Sequence, residues 1–434
     1  MTRAYLGTLV HLCRDPFQYP GALEIIERGA LWVDERGRIV ACGDAGRIRQ
    51  QLPPDAEIVD FGRAWLLPGL VDAHLHFPQY HVVAAANRGL LSWLRESVYP
   101  AELAFRDPRY AAGVADALVG RLLHSGVTTA VMFGSQFPEA TEALFEAARR
   151  RGLRLIAGVT LMDRDGPEPL RTDPETAWRI AERLVQRYGD DPRLRYALTP
   201  RFALSCSPEL LRMCGEFRRR HPRVYLQTHI NETREEIAAV LRAFPDARHY
   251  LDVYDRFGLL GRRTLLAHNI HPQGSEMRAL AESGSSVCHC PSSNLFLGSG
   301  LFPLRRHVQH GVPLAVGTDI GAGLHFWVWE ELSECHKIQR LQGEAPTVAQ
   351  LLHLVTLGAA QALALEAEIG NFAPGKAADF WVLDAGGDPY LDQRLRRCRS
   401  LEEQLFVLMH LARPDQCRAV FAAGRPCAGE AVES

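Results

Sequence analysis

Eight short apolar runs, separated by polar and helix-like stretches, set the strongest limit on how this chain can fold. They are Leu67–His76, Val127–Phe133, Arg154–Met162, Leu194–Phe202, Val224–His229, Thr264–His268, Ser286–Cys290 and Val312–Asp319. Helical patterning fills several of the intervals, for example Pro174–Tyr188, Pro208–Arg220 and Gly274–Glu282. Strand followed by helix, repeated eight times over about 250 residues, predicts a (β/α)8 TIM barrel. The two ends read differently. Residues 4–12 and 30–42 are apolar and β-branched, and the second is broken by the turn-like Asp34-Glu35-Arg36-Gly37-Arg38, which predicts a hairpin. Asp379–Asp384 and Arg418–Phe421 repeat that style near the other end. The economical reading is an α/β chain with a small β-sandwich domain built from both termini. That assigns residues 1–66 and 374–434 to the sandwich and 67–373 to the barrel.

Bulk properties exclude several classes. With 49 Lys+Arg against 51 Asp+Glu, the net charge of −2 gives no handle for nucleic acid or an anionic membrane. No apolar stretch reaches the about 18 residues of a transmembrane helix, and the first residues lack the apolar core of a signal peptide. The ten cysteines include no CxxC pair, and Cys288 and Cys290 merely flank His289. Reduced thiols in a cytoplasmic protein are the expectation. Only Lys337 and Lys376 are lysine among the 49 basic residues, so Schiff-base or P-loop lysine chemistry has two places left.

The polar residues that close the apolar runs carry the chemistry. The first run ends Val71-Asp72-Ala73-His74-Leu75-His76, and residues two apart on a strand share a face, so His74 and His76 point the same way. The fifth run ends at His229, the sixth at His268 and the eighth at Asp319. In a barrel these positions converge on the C-terminal mouth, where active sites lie. Three imidazoles and a carboxylate from strands one, five and eight suit one divalent metal such as zinc, with room for water, and His268 stands beside that water or the substrate. Glu232, three residues after His229, can reach the water as a proton carrier; alone it would read as an acid in the first turn of the helix that follows.

These residues resemble the amidohydrolase superfamily, and most closely its guanine deaminases. The segments are PGLVDAHLHFPQY (68–80), TPRFALSCSPELL (199–211), THINETREEI (228–237), LLAHNIH (265–271), HCPSSNLFLGSG (289–300), GTDIGAG (317–323) and EIGNFAPGKAADFWVLD (368–384). The resemblance implies one zinc per subunit, held by His74, His76, His229 and Asp319. It implies Glu232 as proton shuttle, with His268 and Asp319 completing the catalytic group. Gln79, Arg201, Phe202 and His268 fall on the substrate-binding positions. The implied reaction is hydrolysis of guanine to xanthine and ammonia by a cytoplasmic homodimer. An arginine fork suits the O6/N7 edge of that base, a glutamine can pair along another edge, and an aromatic ring can pack on its face. Leu90–Leu94 resembles the loop after strand one and reads as a pocket wall. Relatives with two metals bridge them through a carboxylated lysine ending strand four. Here that strand ends Thr199-Pro200-Arg201-Phe202, which favours a single metal.

Two rivals stand beside this reading. One is a deaminase of another aminated heterocycle, such as 8-oxoguanine, a pterin or a triazine. The other is a catalytically silent barrel that binds or assembles. Leu324-His325-Phe326-Trp327, after GTDIGAG, departs from the small polar residues that bacterial relatives tend to carry there, and bears on substrate preference.

Overall fold

The computed structural model describes residues 2–427. Its strands run β1 (Arg3–Leu12), β2 (Leu23–Val33), β3 (Ile39–Asp44), β4 (Glu57–Pro68), β5 (Leu70–His76), β6 (Val127–Phe133), β7 (Arg154–Gly158), β8 (Thr160–Leu161), β9 (Leu194–Pro200), β10 (Tyr225–Ile230), β11 (Thr264–His268), β12 (Ser286–His289), β13 (Leu314–Val316), β14 (Phe380–Leu383), β15 (Cys417–Ala422) and β16 (Arg425–Pro426). Strands β5, β6, β7, β9, β10, β11, β12 and β13 pair in parallel in that order, with the short β8 beside β9. The ring closes just past β13. There the Asp319 amide donates to the His74 carbonyl and the His76 amide to the Ile320 carbonyl, both at 2.7 Å.

The barrel interior is a packed layer. Val71, Val131, Ile156, Ala197, Tyr225, Leu265, Cys288 and Ala315, one from each barrel strand, form a single buried cluster. Helices cover the outside, and their ends are specified locally. Pro174–Tyr188 starts at the Asp173 cap, and Arg234–Ala243 starts at a reciprocal box between Thr233 and Glu236.

Strict alternation would put His74 and His76 on the face opposite Val71 and Ala73. Val71 and Ala73 belong to the inner cluster, while Leu70 and Leu75 pack in the outer one. An irregularity in the β5–β6 register between Asp72 and Leu75 reverses the alternation. This bulge turns both histidines into the barrel mouth.

The small domain is a sheet of order β16-β15-β14-β4-β1-β2-β3, taken from both ends of the chain. It is one continuous sheet folded on itself. Strands β15 and β1 are three places apart in the order, roughly 14 Å if flat, yet the rings of Phe421 and Tyr5 lie 4.9 Å apart. Two details modify the boundaries read from the sequence. Leu67 and Pro68 pair with Trp381 and Phe380 and so belong to the small sheet. Helices Pro389–Leu395 and Leu401–Leu411 lie within the range given to the sandwich, but Leu391, Leu405 and Leu408 pack into the outer cluster around the barrel and the Trp329 indole donates to the Leu408 carbonyl at 3.2 Å. Their apolar residues recur at helical rather than strand spacing, so they cannot add to the sheet. The last seven residues of that range lie outside the described residues.

Candidate active site and metal centre

The C-terminal mouth holds a cleft lined by His76, Gln79, Arg201, His229, Glu232, His268 and Asp319 at its polar end. Leu90, Trp93, Leu94, Phe202 and Leu297 form its apolar walls, so the Leu90–Leu94 segment is indeed a wall. His74 lies beneath, fully buried. The structure therefore brings together all the site residues expected from the sequence.

The donor atoms face one another at ligand spacing. His76 Nε2 and His229 Nε2 are 3.1 Å apart, and Asp319 Oδ1 lies 3.3 Å from both His74 Nε2 and His76 Nε2. Ligands about 2.0–2.1 Å from a tetrahedral zinc sit about 3.3–3.4 Å from one another. His74 Nε2 is buried with no hydrogen-bond partner, a costly state for a polar atom unless something binds it. The His229 ring is set for the same role. Its Nδ1 donates to the Arg201 carbonyl at 2.5 Å, which leaves the Nε2 lone pair facing the centre. Burial lowers the His76 pKa to about 4, against the pull of Asp319, and it drives His229 far below the usual range with help from the neighbouring imidazoles. Neutral imidazoles are the form that binds metal. Burial would raise Asp319, but its contacts with His74 and His76 outweigh that and hold it ionised.

Around this set, backbone strain and hydrogen bonds fix the remaining groups. His268 and Asp319 both sit in the left-handed region, at φ 75° and 52°, where non-glycine residues are rare. Asn294 Nδ2 lies 3.0 Å from His268 Nδ1, and the other ring nitrogen points at Glu232 Oε2, 3.6 Å away. Ser293 donates to Asp319 Oδ2 at 2.6 Å and Ser299 to Glu232 Oε1 at 3.1 Å. Burial first, then the charges of Glu236 and Asp319, push the Glu232 carboxyl well above the usual range. A carboxyl so poised can take up and give back a proton.

Substrate-side groups are held by a residue the sequence did not flag. Glu102 is 1% exposed and accepts Arg201 Nη1 on both oxygens, at 2.9 and 2.7 Å. It also accepts Gln79 Nε2 at 3.2 Å and Gln136 Nε2 at 2.6 Å. Because the carboxylate takes the Gln79 amine, the Gln79 carbonyl oxygen is the end left to meet a ligand. Glu102 lies in Tyr99–Leu103, outside every quoted motif; an acid isolated in the apolar stretch VYPAELAF was the available signal. Asp72, Ser293, Asn294 and Ser299 lie inside quoted segments, but their spacing did not single them out. Asp72 takes the Thr318 amide at 2.9 Å and its hydroxyl at 2.6 Å, tying the ends of strands one and eight together.

Other residues of the quoted segments and of the sequence fall elsewhere. His271 Nε2 lies 2.7 Å from the Ser299 carbonyl, one step behind Glu232. His289 stacks on Phe302 at 4.3 Å as a core residue. Leu324–Trp327 does not line the cleft: Phe326 packs on Tyr80 and under Arg121, and Trp327 is buried toward Trp381. Lys337 pairs with Glu334 on the surface, and Lys376 donates to the Ile369 carbonyl in the small domain.

Comparison with known proteins agrees with this geometry. The model of the Amidohydrolase family matches residues 65–427. A probable guanine deaminase of Deinococcus radiodurans is 40% identical over 429 residues, covering 97% of this chain and 98% of that protein. The guanine deaminase of Escherichia coli K12 is 37% identical over 426 residues, covering 98% and 97%. The crystal structure of guanine deaminase from Bradyrhizobium japonicum superposes with a TM-score of 0.93 at 33% identity, covering 98% of this chain and 99% of that one.

Proposed function

The chain belongs to the amidohydrolase family, alongside its guanine deaminases, and from that premise we propose that it hydrolyses guanine to xanthine and ammonia at one zinc in each active site. The observation that carries the reading is the cleft in which His74, His76, His229 and Asp319 converge beside Glu232, with Arg201 and Gln79 fixed opposite by a shared carboxylate. The three histidines and Asp319 would hold the metal, which when bound supplies the acidity that readies a water for attack at neutral pH.

The protein's own groups do the rest. Arg201 spends Nη1 on Glu102 and presents its remaining N–H groups to the O6/N7 edge of the base. The Gln79 oxygen accepts from a ring N–H on the neighbouring edge. Phe202 and Trp93 close the slot over the aromatic faces and exclude bulk water. Water adds to the ring carbon that bears the amine. Glu232 accepts its proton, passes it to the adjacent ring nitrogen, and carries the next to the amine, which departs as ammonia. His268, 3.6 Å from Glu232, steadies the water and the attacked centre.

The proposed setting is cytoplasmic, which fits ten free thiols and no described helix long and apolar enough to cross a membrane. A homodimer is proposed from the family alone and is checked by light scattering. A panel of guanine, 8-oxoguanine, a pterin and an aminotriazine, scored by ammonia release, tests the substrate. Guanine is expected to give the highest kcat/KM; a clear preference for another heterocycle would displace it.

A further inference from the structure

We propose that His11, Cys13 and Glu24 form a second metal site, on the small domain, for a thiophilic divalent cation of the zinc type. The sheet register creates it. In the antiparallel β1–β2 pair, His11 stands directly opposite Glu24, so both side chains rise from the same face. Cys13 is two residues beyond His11 and shares that face, and its amide extends the pairing through the Ala22 carbonyl at 2.9 Å. Cys42 Sγ, on β3, lies beside this group, 3.8 Å from His11 Nε2, and is not one of its ligands.

The distances are those of ligands around one ion. Glu24 Oε2 lies 3.2 Å from His11 Nε2 and 3.2 Å from Cys13 Sγ, and the three ligand atoms all lie within 4.8 Å of one another. A tetrahedral zinc places oxygen and nitrogen ligands about 3.4 Å apart, and sulfur and nitrogen about 3.6 Å apart. A thiol, an imidazole and a carboxylate are a donor set that soft and borderline cations select over magnesium or calcium. His11 is buried and anchored against Phe372 at 5.4 Å, while Cys13 and Glu24 are exposed, so an ion can enter from solvent. No CxxC spacing announces the site, because its ligands come from β1, the residue just past it and β2. Filling it would clamp β1 and β2 together. It lies on the terminal sheet, apart from the barrel mouth, and plays no part in the hydrolytic step.

The test loads full-length protein with cobalt(II) as a spectroscopic substitute for zinc, removes unbound metal, and measures metal per chain and the thiolate-to-cobalt charge-transfer absorption. Wild type is expected to retain two equivalents and show the band. The Cys13→Ser/Glu24→Gln variant is expected to retain one, lose the band, keep guanine turnover within about twofold, and lose the rise in Tm that extra metal gives wild type. Cys13→Ser alone, at an exposed position, is expected to weaken the second equivalent without affecting folding. Retention of one equivalent by wild type, or an unchanged band and stoichiometry in the double variant, would overturn the proposal.

Discussion

Glu102→Gln is the substitution whose consequences the structure defines most closely. The wild-type carboxylate accepts from three side chains, Arg201, Gln79 and Gln136. A glutamine of the same shape has one acceptor oxygen and one NH2 group. Whichever way it turns, at least one donor then faces another donor. Arg201 is 3% exposed and loses the one carboxylate it pairs with among the described residues. Removing one member of a buried ion pair costs about 3–5 kcal/mol, because the remaining charge stays desolvated. Part of that cost appears as lost stability. Part appears as disorder of Arg201 and Gln79, and about 3 kcal/mol there corresponds to roughly a hundredfold loss in kcat/KM. The assays are urea denaturation, steady-state guanine turnover and metal content per chain. The account expects lower stability, a raised KM with lowered kcat/KM, and unchanged metal, since no metal-binding residue touches Glu102. Wild-type stability together with wild-type KM would refute the claim that Glu102 organises the substrate side.

Further outcomes follow from other parts of the site. Glu232→Gln is expected to keep its metal while turnover falls by about 10²–10⁴-fold, the range for a lost general acid–base; near-wild-type turnover would remove Glu232 from proton transfer. Treatment with a strong chelator is expected to abolish activity and lower Tm, and zinc to restore both; full activity of metal-free protein would contradict the metal role. His307 supplies the pH dependence. Its Nδ1 donates to the Pro303 carbonyl at 2.9 Å and its Nε2 accepts from Asn269, while burial lowers its pKa to about 4. The unfolded chain, with His near its usual value of about 6.5, binds the proton more readily between those limits. This contribution to stability is thus full above about pH 6.5 and falls as pH drops toward 4, by about 2 kcal/mol at pH 5. His307→Gln is expected to shrink the difference in urea stability between pH 7 and pH 5 by that amount, and an unchanged difference would refute it.

The barrel was legible because its signals are local and periodic. All eight apolar runs become strands, and the ranges Pro174–Tyr188 and Pro208–Arg220 become helices at those limits. The residues closing the strands were equally visible, since a polar residue ending an apolar run has little structural reason to be there. What stayed hidden depends on contacts distant in sequence. The face presented by His74 and His76 is decided by a bulge in β5 that alternation cannot foresee. Glu102 acquires its role only when Arg201, 99 residues away, folds over it. The helices at Pro389–Leu395 and Leu401–Leu411 lie between strands of the small sheet in sequence, yet their apolar faces find the barrel instead. Leu324–Trp327 drew attention by departing from the small polar residues of bacterial relatives, and its aromatic residues serve packing against Tyr80, Arg121 and Trp381.

The central claim is that this cleft binds guanine through Arg201 and releases its amine. It is tested most directly by incubating zinc-loaded protein with guanine and quantifying xanthine and ammonia together, beside an Arg201→Ala control. The account predicts equimolar xanthine and ammonia from wild type and a strongly reduced rate in the variant, chiefly through weaker guanine binding. No product from wild type above that control, with metal bound and the fold intact, would contradict it.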